Sequence, residues 1–186
     1  MRIVPNCRRS VDAERLEQPH AAIGACCSAI IRFFSNLRES SPPMARVIID
    51  LPDRFMFSTE VPIYIGHINH GHHLDNAALL MLVSETRVRF FRALDYTELD
   101  VEGAGIIVAD AAVQYKSEAF YGETLVFEMT PAEFNNYGCD LVWRARDKTS
   151  GREVARGKNG IVFFDYQAKR PVTIPTAFRA RLAAAN

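Results

Sequence analysis

The sequence predicts an α+β fold in which an antiparallel sheet of five to six strands wraps around one long buried helix. Three observations predict it. A strand-like segment precedes a single apolar helix, the hydrophobic period then switches to two, and the later strand-like segments follow one another through short turns. Strands joined by tight turns pair antiparallel, and an apolar helix needs a sheet to cover it.

The first two elements are a strand and the central helix. Residues 55–65 are rich in aromatic and β-branched residues, and Pro62 places this strand at an edge or a bulge. Asp75 is a good N-cap for a helix over residues 75–94, whose Ala, Leu and Met are strong helix formers. Residues 76–84 carry no charge, so we expect this half of the helix to be buried on every side.

Four more strands are predicted after the helix. Turn-forming residues separate the last three of them, at 135–138 and at 149–152. Leu125, Phe127 and Met129 alternate with polar or smaller residues and are expected to share one face. The predicted strands cover residues 105–115, 124–129, 141–146 and 153–164.

The charges divide the chain into two parts. Its 186 residues carry 22 basic and 22 acidic side chains without a basic stripe, which argues against a nucleic-acid binder. Residues 1–44 carry a net charge of +2 and the remainder −2. The helix-breaking residues 40–43 end the first part. We predict a peripheral or partly disordered N-terminal extension over 1–44 and one globular domain over 45–186.

The cysteines and the apolar segments bear on the cellular compartment. Adjacent Cys26 and Cys27 are a poor disulfide framework, and the predicted domain retains only Cys139. The apolar stretch between His20 and Arg32 in the extension has 11 residues, whereas a membrane-spanning helix needs about 20. We therefore expect a cytoplasmic protein without a membrane span.

The chemistry is expected in the loop before the helix. Residues 66–76 hold four of the five histidines (His67, His70, His72 and His73) together with one carboxylate, Asp75. A helix start can polarise a carbonyl oxygen, and His or Asp can activate water. The pattern suits hydrolysis of an apolar acyl group. Alternatively, Asp75 is only an N-cap, His70 and His72 are surface residues, and His67 and His73 serve packing.

Several segments together resemble one known family. The sequence His73-Leu-Asp75-Asn76, the glutamate Glu85 in the helix, residues 115–125 and residues 163–175 are similar to motifs of hotdog-fold acyl thioesterases of the hydroxybenzoyl-CoA thioesterase-like superfamily. The resemblance covers residues 57–175. It implies a homodimer or homotetramer with its site at the subunit interface. It also implies hydrolysis of an acyl-CoA or acyl-carrier-protein thioester without a metal or other cofactor, coenzyme A being only part of the substrate.

One departure from the family concerns the catalytic acid. Many relatives place an aspartate in the loop before the helix, where this chain has His67 or Asn69. Asp75 is the available substitute. Glu85 lies roughly 15 Å along the helix from Asp75. It stands four residues before Arg89, so a structural ion pair is expected for it.

The site prediction assigns a role to each residue. Asp75 or His67 activates water, Asn69 and Asn76 orient it, and the N–H groups of Asn76 and Ala77 hold the oxyanion. His73 binds the thioester, and Arg156 and Lys158 are candidates for binding the phosphates of coenzyme A. The alternatives are a non-catalytic acyl-binding hotdog module and a hotdog acyl dehydratase with a His–carboxylate pair.

Overall fold

The computed structural model describes residues 47–184. The predicted N-terminal extension lies outside these residues, so its boundary and its peripheral character stay predictions.

One six-stranded antiparallel sheet forms the frame of the described chain. The strands are β1 (Phe57–Pro62), β2 (Gly105–Tyr115), β3 (Thr124–Ala132), β4 (Gly138–Asp147), β5 (Glu153–Asp165) and β6 (Arg170–Pro171). They lie in the order β1-β3-β4-β5-β2, with β6 paired to β5. The sequence-based prediction of an antiparallel α+β fold with five to six strands is confirmed.

In the described part of the chain, two α-helices accompany the sheet. The central helix α1 (Asn76–Ala93) begins where predicted, with Asp75 as its N-cap. A second helix, α2 (Thr176–Ala184), was not predicted, although Phe178 and Leu182 stand at helical spacing and are both buried. Neither helix, within residues 47–184, is long and apolar enough to cross a membrane.

The core lies between α1 and the inner face of the sheet. Leu125, Phe127 and Met129 of β3 are all fully buried there, as their alternation predicted. Trp143 of β4 is also fully buried, and its Nε1–H donates to Asn159 Oδ1 at 3.1 Å. This bond satisfies the one polar group that the indole brings into the core.

One face of the central helix is uncovered within residues 47–184. Met81 is 58% exposed, Ala77 is exposed and Ser84 is half-buried. The expectation that residues 76–84 are buried on every side is therefore wrong within residues 47–184. One sheet can cover only one side of a helix, and nothing within residues 47–184 covers the other.

Cys139 stands near the start of β4 as a buried free thiol. Its side chain is 2% exposed, and burial raises the pKa of the thiol to about 12. A thiol of this kind is unreactive in the folded domain, because the thiolate is the nucleophile.

Candidate active site at the start of the central helix

Backbone hydrogen bonds within the histidine-rich loop join its two ends. The N–H group of Asn69 donates to the His73 carbonyl at 3.0 Å, and that of Asp75 donates to the His67 carbonyl at 2.9 Å. Leu74 N–H also donates to the Ala119 carbonyl at 2.7 Å, which ties the loop to the connection between β2 and β3. The loop therefore delivers Asp75 to the start of α1 in a fixed position.

Asp75 uses one carboxylate oxygen to cap the helix. Its Oδ1 accepts hydrogen bonds from Ala77 N–H at 2.8 Å and from Ala78 N–H at 3.1 Å. Its Oδ2 accepts none within residues 47–184. The half-buried carboxylate is thus held at one oxygen and free to bond a water molecule or a substrate group at the other.

The N-cap formed by Asp75 limits which backbone N–H groups at the helix start can bind an oxyanion. Asp75 already occupies the N–H of Ala77, so the predicted pair of Asn76 and Ala77 is only half available. Asn76 N–H donates no hydrogen bond to the described part of the chain. It is the donor at the helix start that remains for a carbonyl oxygen.

His67 is braced within a short 3-10 turn, Ile65–His67. Its Nδ1 lies 3.1 Å from the Tyr64 backbone N–H, which donates to it. A neutral imidazole that accepts at Nδ1 carries its proton on Nε2. In this arrangement His67 has no free basic nitrogen, so the geometry favours Asp75 over His67 as the group that activates water.

Asn69 and His73 are engaged with each other and with the loop. Asn69 Oδ1 accepts from Gly71 N–H at 2.8 Å, and its Nδ2 lies 3.4 Å from His73 Nδ1. His73 Nδ1 also lies 3.2 Å from the Leu74 carbonyl. Both side chains are half-buried and stabilise the loop. His70 and His72 are exposed, as predicted for surface residues.

Tyr115 is a residue at this site to which the sequence analysis assigned no role. It ends β2, and its hydroxyl donates to the Asn76 carbonyl at 3.1 Å. Burial and the negative charge of Asp75 both raise the pKa of its phenol. Its place in the family-like segment 115–125 was a signal, but its contact with a helix 39 residues away had no local signature.

The two cations predicted to bind phosphate lie elsewhere. Arg156 and Lys158 alternate along β5 with Ala155, which faces the core, so they face the outer side of the sheet. Arg156 contacts both carboxylate oxygens of Glu153, at 2.6 and 2.8 Å. Lys158 contacts Asp140 at 2.7 Å. These pairs give no support to a phosphate-binding role, which stays a prediction.

Glu85 forms the ion pair that its spacing predicted. Arg89 Nε donates to Glu85 Oε1 at 2.8 Å. The same guanidinium donates to the Glu60 carbonyl of β1 at 2.8 Å. Glu85 therefore helps to hold the far half of α1 against the sheet.

Comparison with known protein families identifies the family of the chain. A profile described as the thioesterase-like superfamily matches residues 63–182. The chain belongs to this superfamily. The match begins just before the histidine-rich loop and ends in α2, so it includes every residue placed at the start of α1. A search of curated proteins finds no match.

Solved structures of hotdog-fold thioesterases resemble this thioesterase-like domain. One is a 1,4-dihydroxy-2-naphthoyl-CoA thioesterase from Synechocystis, 12% identical, with a TM-score of 0.63 over 68% of this chain and 95% of that chain. Another, from Thermus thermophilus, was solved with coenzyme A and Zn; it is 22% identical, with a TM-score of 0.62 over 72% and 97%. A putative thioesterase from Pseudomonas aeruginosa is 19% identical, with a TM-score of 0.61 over 68% and 98%. These similarities establish the hotdog fold.

The described residues contain no arrangement of side chains suited to a metal ion. Among residues 47–184, no group of three or more His, Cys, Asp or Glu side chains is arranged to hold a metal ion. The prediction of metal-independent chemistry stays a prediction.

Proposed function

We propose that this thioesterase-like protein hydrolyses an acyl-CoA thioester to the free acid and coenzyme A, with Asp75 as the general base. One observation carries the proposal. The start of α1 presents the N–H group of Asn76 and the Oδ2 atom of Asp75, neither of which forms a hydrogen bond within residues 47–184. An oxyanion donor beside a base is what addition of water to a thioester requires.

The proposed reaction begins with the thioester carbonyl at the helix start. Asn76 N–H and the positive end of the helix dipole polarise the carbonyl oxygen. Asp75 Oδ2 accepts a proton from water as the water oxygen bonds to the carbonyl carbon. The tetrahedral intermediate then collapses, its carbon–sulfur bond breaks, and the leaving thiolate takes the proton from Asp75, which restores the carboxylate.

The proposed site lies between two copies of the chain. Within residues 47–184, strand β2 pairs only with β5, residues 108–111 are exposed, and the open face of α1 carries Ala77 and Met81. A long uncovered edge strand is a template for pairing with another strand. We infer a homodimer joined along β2, in which the second copy also covers the exposed start of α1.

Measuring the mass of the protein in solution tests the dimer. We expect twice the chain mass of 20.9 kDa by light scattering. Val108→Lys places a charge on the edge strand and is expected to shift the protein toward the monomer. Leu99→Lys is the control, since Leu99 is 73% exposed and lies outside the sheet. A Val108→Lys protein that remains fully dimeric would contradict pairing along β2.

A turnover experiment tests the reaction. Wild-type protein is incubated with short, medium and long straight-chain acyl-CoA and with one aromatic acyl-CoA, and free coenzyme A is quantified by chromatography. We expect turnover of at least one substrate. The same acyl group on a carrier protein then shows which carrier is used. Absence of turnover with every substrate, from folded protein, would refute the function.

Asp75→Asn isolates the proposed base from the helix cap. Asparagine caps helices about as well as aspartate but cannot accept the proton, so kcat should fall by about 10² to 10⁴. Asp165→Asn is the matched control, because Asp165 Oδ1 also accepts from the N–H groups two and three residues later, each at 2.9 Å. Unchanged turnover in Asp75→Asn would exclude Asp75 as the base.

A non-catalytic acyl-binding module is the second candidate. Its supporting observation is that Asp75, His67 and Asn69 each make a contact that stabilises the loop or the helix start. Binding of acyl-CoA without turnover, unaffected by Asp75→Asn, would select it. The cytoplasmic location expected from the cysteines stays a prediction.

A further inference from the structure

Tyr115 forms the one side-chain hydrogen bond, among residues 47–184, that joins the sheet to the first residue of α1. Its hydroxyl donates to the Asn76 carbonyl across 39 residues of sequence. Asn76 is itself exposed, and helix ends fray more readily than helix centres. The bond therefore restrains the residue whose N–H group we assign to the oxyanion.

The end of β2 is a firm anchor for this contact. Tyr115 pairs with Ala155 of β5, and the next two residues continue the attachment. Lys116 N–H donates to the Val154 carbonyl at 2.8 Å, and Ser117 Oγ donates to the Glu153 carbonyl at 2.7 Å. The Tyr115 side chain therefore holds the helix start in a fixed position relative to the sheet.

We propose that Tyr115 is a positioning residue for thioester hydrolysis, which holds the first turn of α1 so that Asn76 N–H and Asp75 keep their places relative to the substrate carbonyl. This role rests on the proposed function and adds a residue to it. Burial and the charge of Asp75 raise the pKa of the phenol. The hydroxyl thus keeps its proton, and its donor role, throughout the neutral range.

Tyr115→Phe tests the proposal, with Tyr166→Phe as a matched control. The hydroxyl of Tyr166 donates to the Ile106 carbonyl at 2.9 Å, near the opposite end of β2. The two tyrosines are similarly exposed, 54% for Tyr115 and 49% for Tyr166. Each variant loses one bond of the same kind, so a purely structural effect should lower the unfolding temperature to a similar extent in both.

The expected result is a change in kcat confined to one variant. Misplacement of reacting groups lowers the rate of the chemical step, so Tyr115→Phe should lower kcat about tenfold and leave KM within about twofold. Tyr166→Phe should change neither value. Amide hydrogen exchange over residues 76–80 should accelerate in Tyr115→Phe only, since only there is the first turn released.

Each other outcome has a definite meaning. If both variants keep the wild-type kcat, or if Tyr115→Phe changes KM alone, the positioning role is wrong while the thioesterase function stands. If kcat falls without faster exchange over residues 76–80, the role of Tyr115 does not act through the helix start, and the proposal is overturned. If the wild-type protein turns over no acyl-CoA, the proposed function fails and this inference fails with it.

Discussion

The cap that Asp75 provides has a stability effect that can be separated from catalysis. Asp75→Ala removes both hydrogen bonds at Oδ1, whereas Asp75→Asn retains an oxygen that can accept them. Loss of an N-cap side chain costs about 1 kcal/mol, within a range of about 0.5 to 2. The structure indicates where in this range the variant should lie.

The exposure of the two donors sets the magnitude. Ala77 is exposed, so water can replace the carboxylate at its N–H group. Ala78 is 3% exposed, so its N–H group would lose its partner without full replacement. We therefore expect Asp75→Ala to lower the free energy of unfolding by about 1.5 kcal/mol. For a domain of this size, that corresponds to a fall of about 5 °C in Tm.

Calorimetry and urea unfolding of three variants measure this effect. Asp75→Asn should stay within about 0.5 kcal/mol of wild type, because asparagine caps as well as aspartate. Asp165→Ala should also cost less than about 0.5 kcal/mol, since both of its donors, Gln167 and Ala168, are exposed to water. If Asp75→Asn were as unstable as Asp75→Ala, or if Asp75→Ala cost nothing, the side-chain cap would not be what stabilises the helix start.

Three further predictions concern the core, a turn and the loop. Gly157→Ala should destabilise the domain by about 2 to 3 kcal/mol in urea, since its Cβ would stand 2.2 Å from Trp143 Cζ2; Gly66→Ala, with no atom within 4 Å, should change little. Hydrogen bonds from Ser150 lower the pKa of the Asp147 carboxyl. Asp147→Asn should thus lower Tm at pH 7, and the difference should shrink as pH falls below about 4 toward that lowered pKa. His67→Ala should lower kcat less than tenfold, because Nδ1 already accepts from Tyr64; a loss as large as in Asp75→Asn would contradict this.

The sequence predicted the fold well because its signals are local. Alternating residues such as Leu125 and Phe127 identify a strand and its buried face without knowledge of the neighbouring strands. The exact ends of β1 were predicted less well, because the predicted strand 55–65 shortens to Phe57–Pro62. The regular pairing with β3 ends at Pro62. Ile63 still donates to the Glu123 carbonyl and accepts from Gly122 N–H, outside the regular register. Helix α2 was missed although its two buried residues have helical spacing, because nine residues give little periodicity to recognise.

Only those parts of the site that are close together in the sequence could be predicted. The loop and Asp75 are adjacent to the helix in sequence, and the structure brings them to its start. Two hydrogen bonds at the site could not be predicted: Ala77 N–H donates to the Asp75 cap, and Tyr64 N–H donates to His67 Nδ1. Both depend on side-chain geometry, which composition does not determine. Tyr115 contacts Asn76 because the fold brings the end of β2 to the start of α1, so no local sequence motif predicts this contact.

The buried thiol of Cys139 provides a way to measure transient opening of the folded domain. Its side chain is 2% exposed and has a pKa of about 12, so an alkylating reagent can modify it only in molecules that have transiently opened around β4. When reclosing is fast relative to alkylation, the rate of modification follows the equilibrium population of open molecules. Mass spectrometry of the peptide that contains Cys139 would follow this opening under native conditions, in free protein and with an acyl-CoA bound.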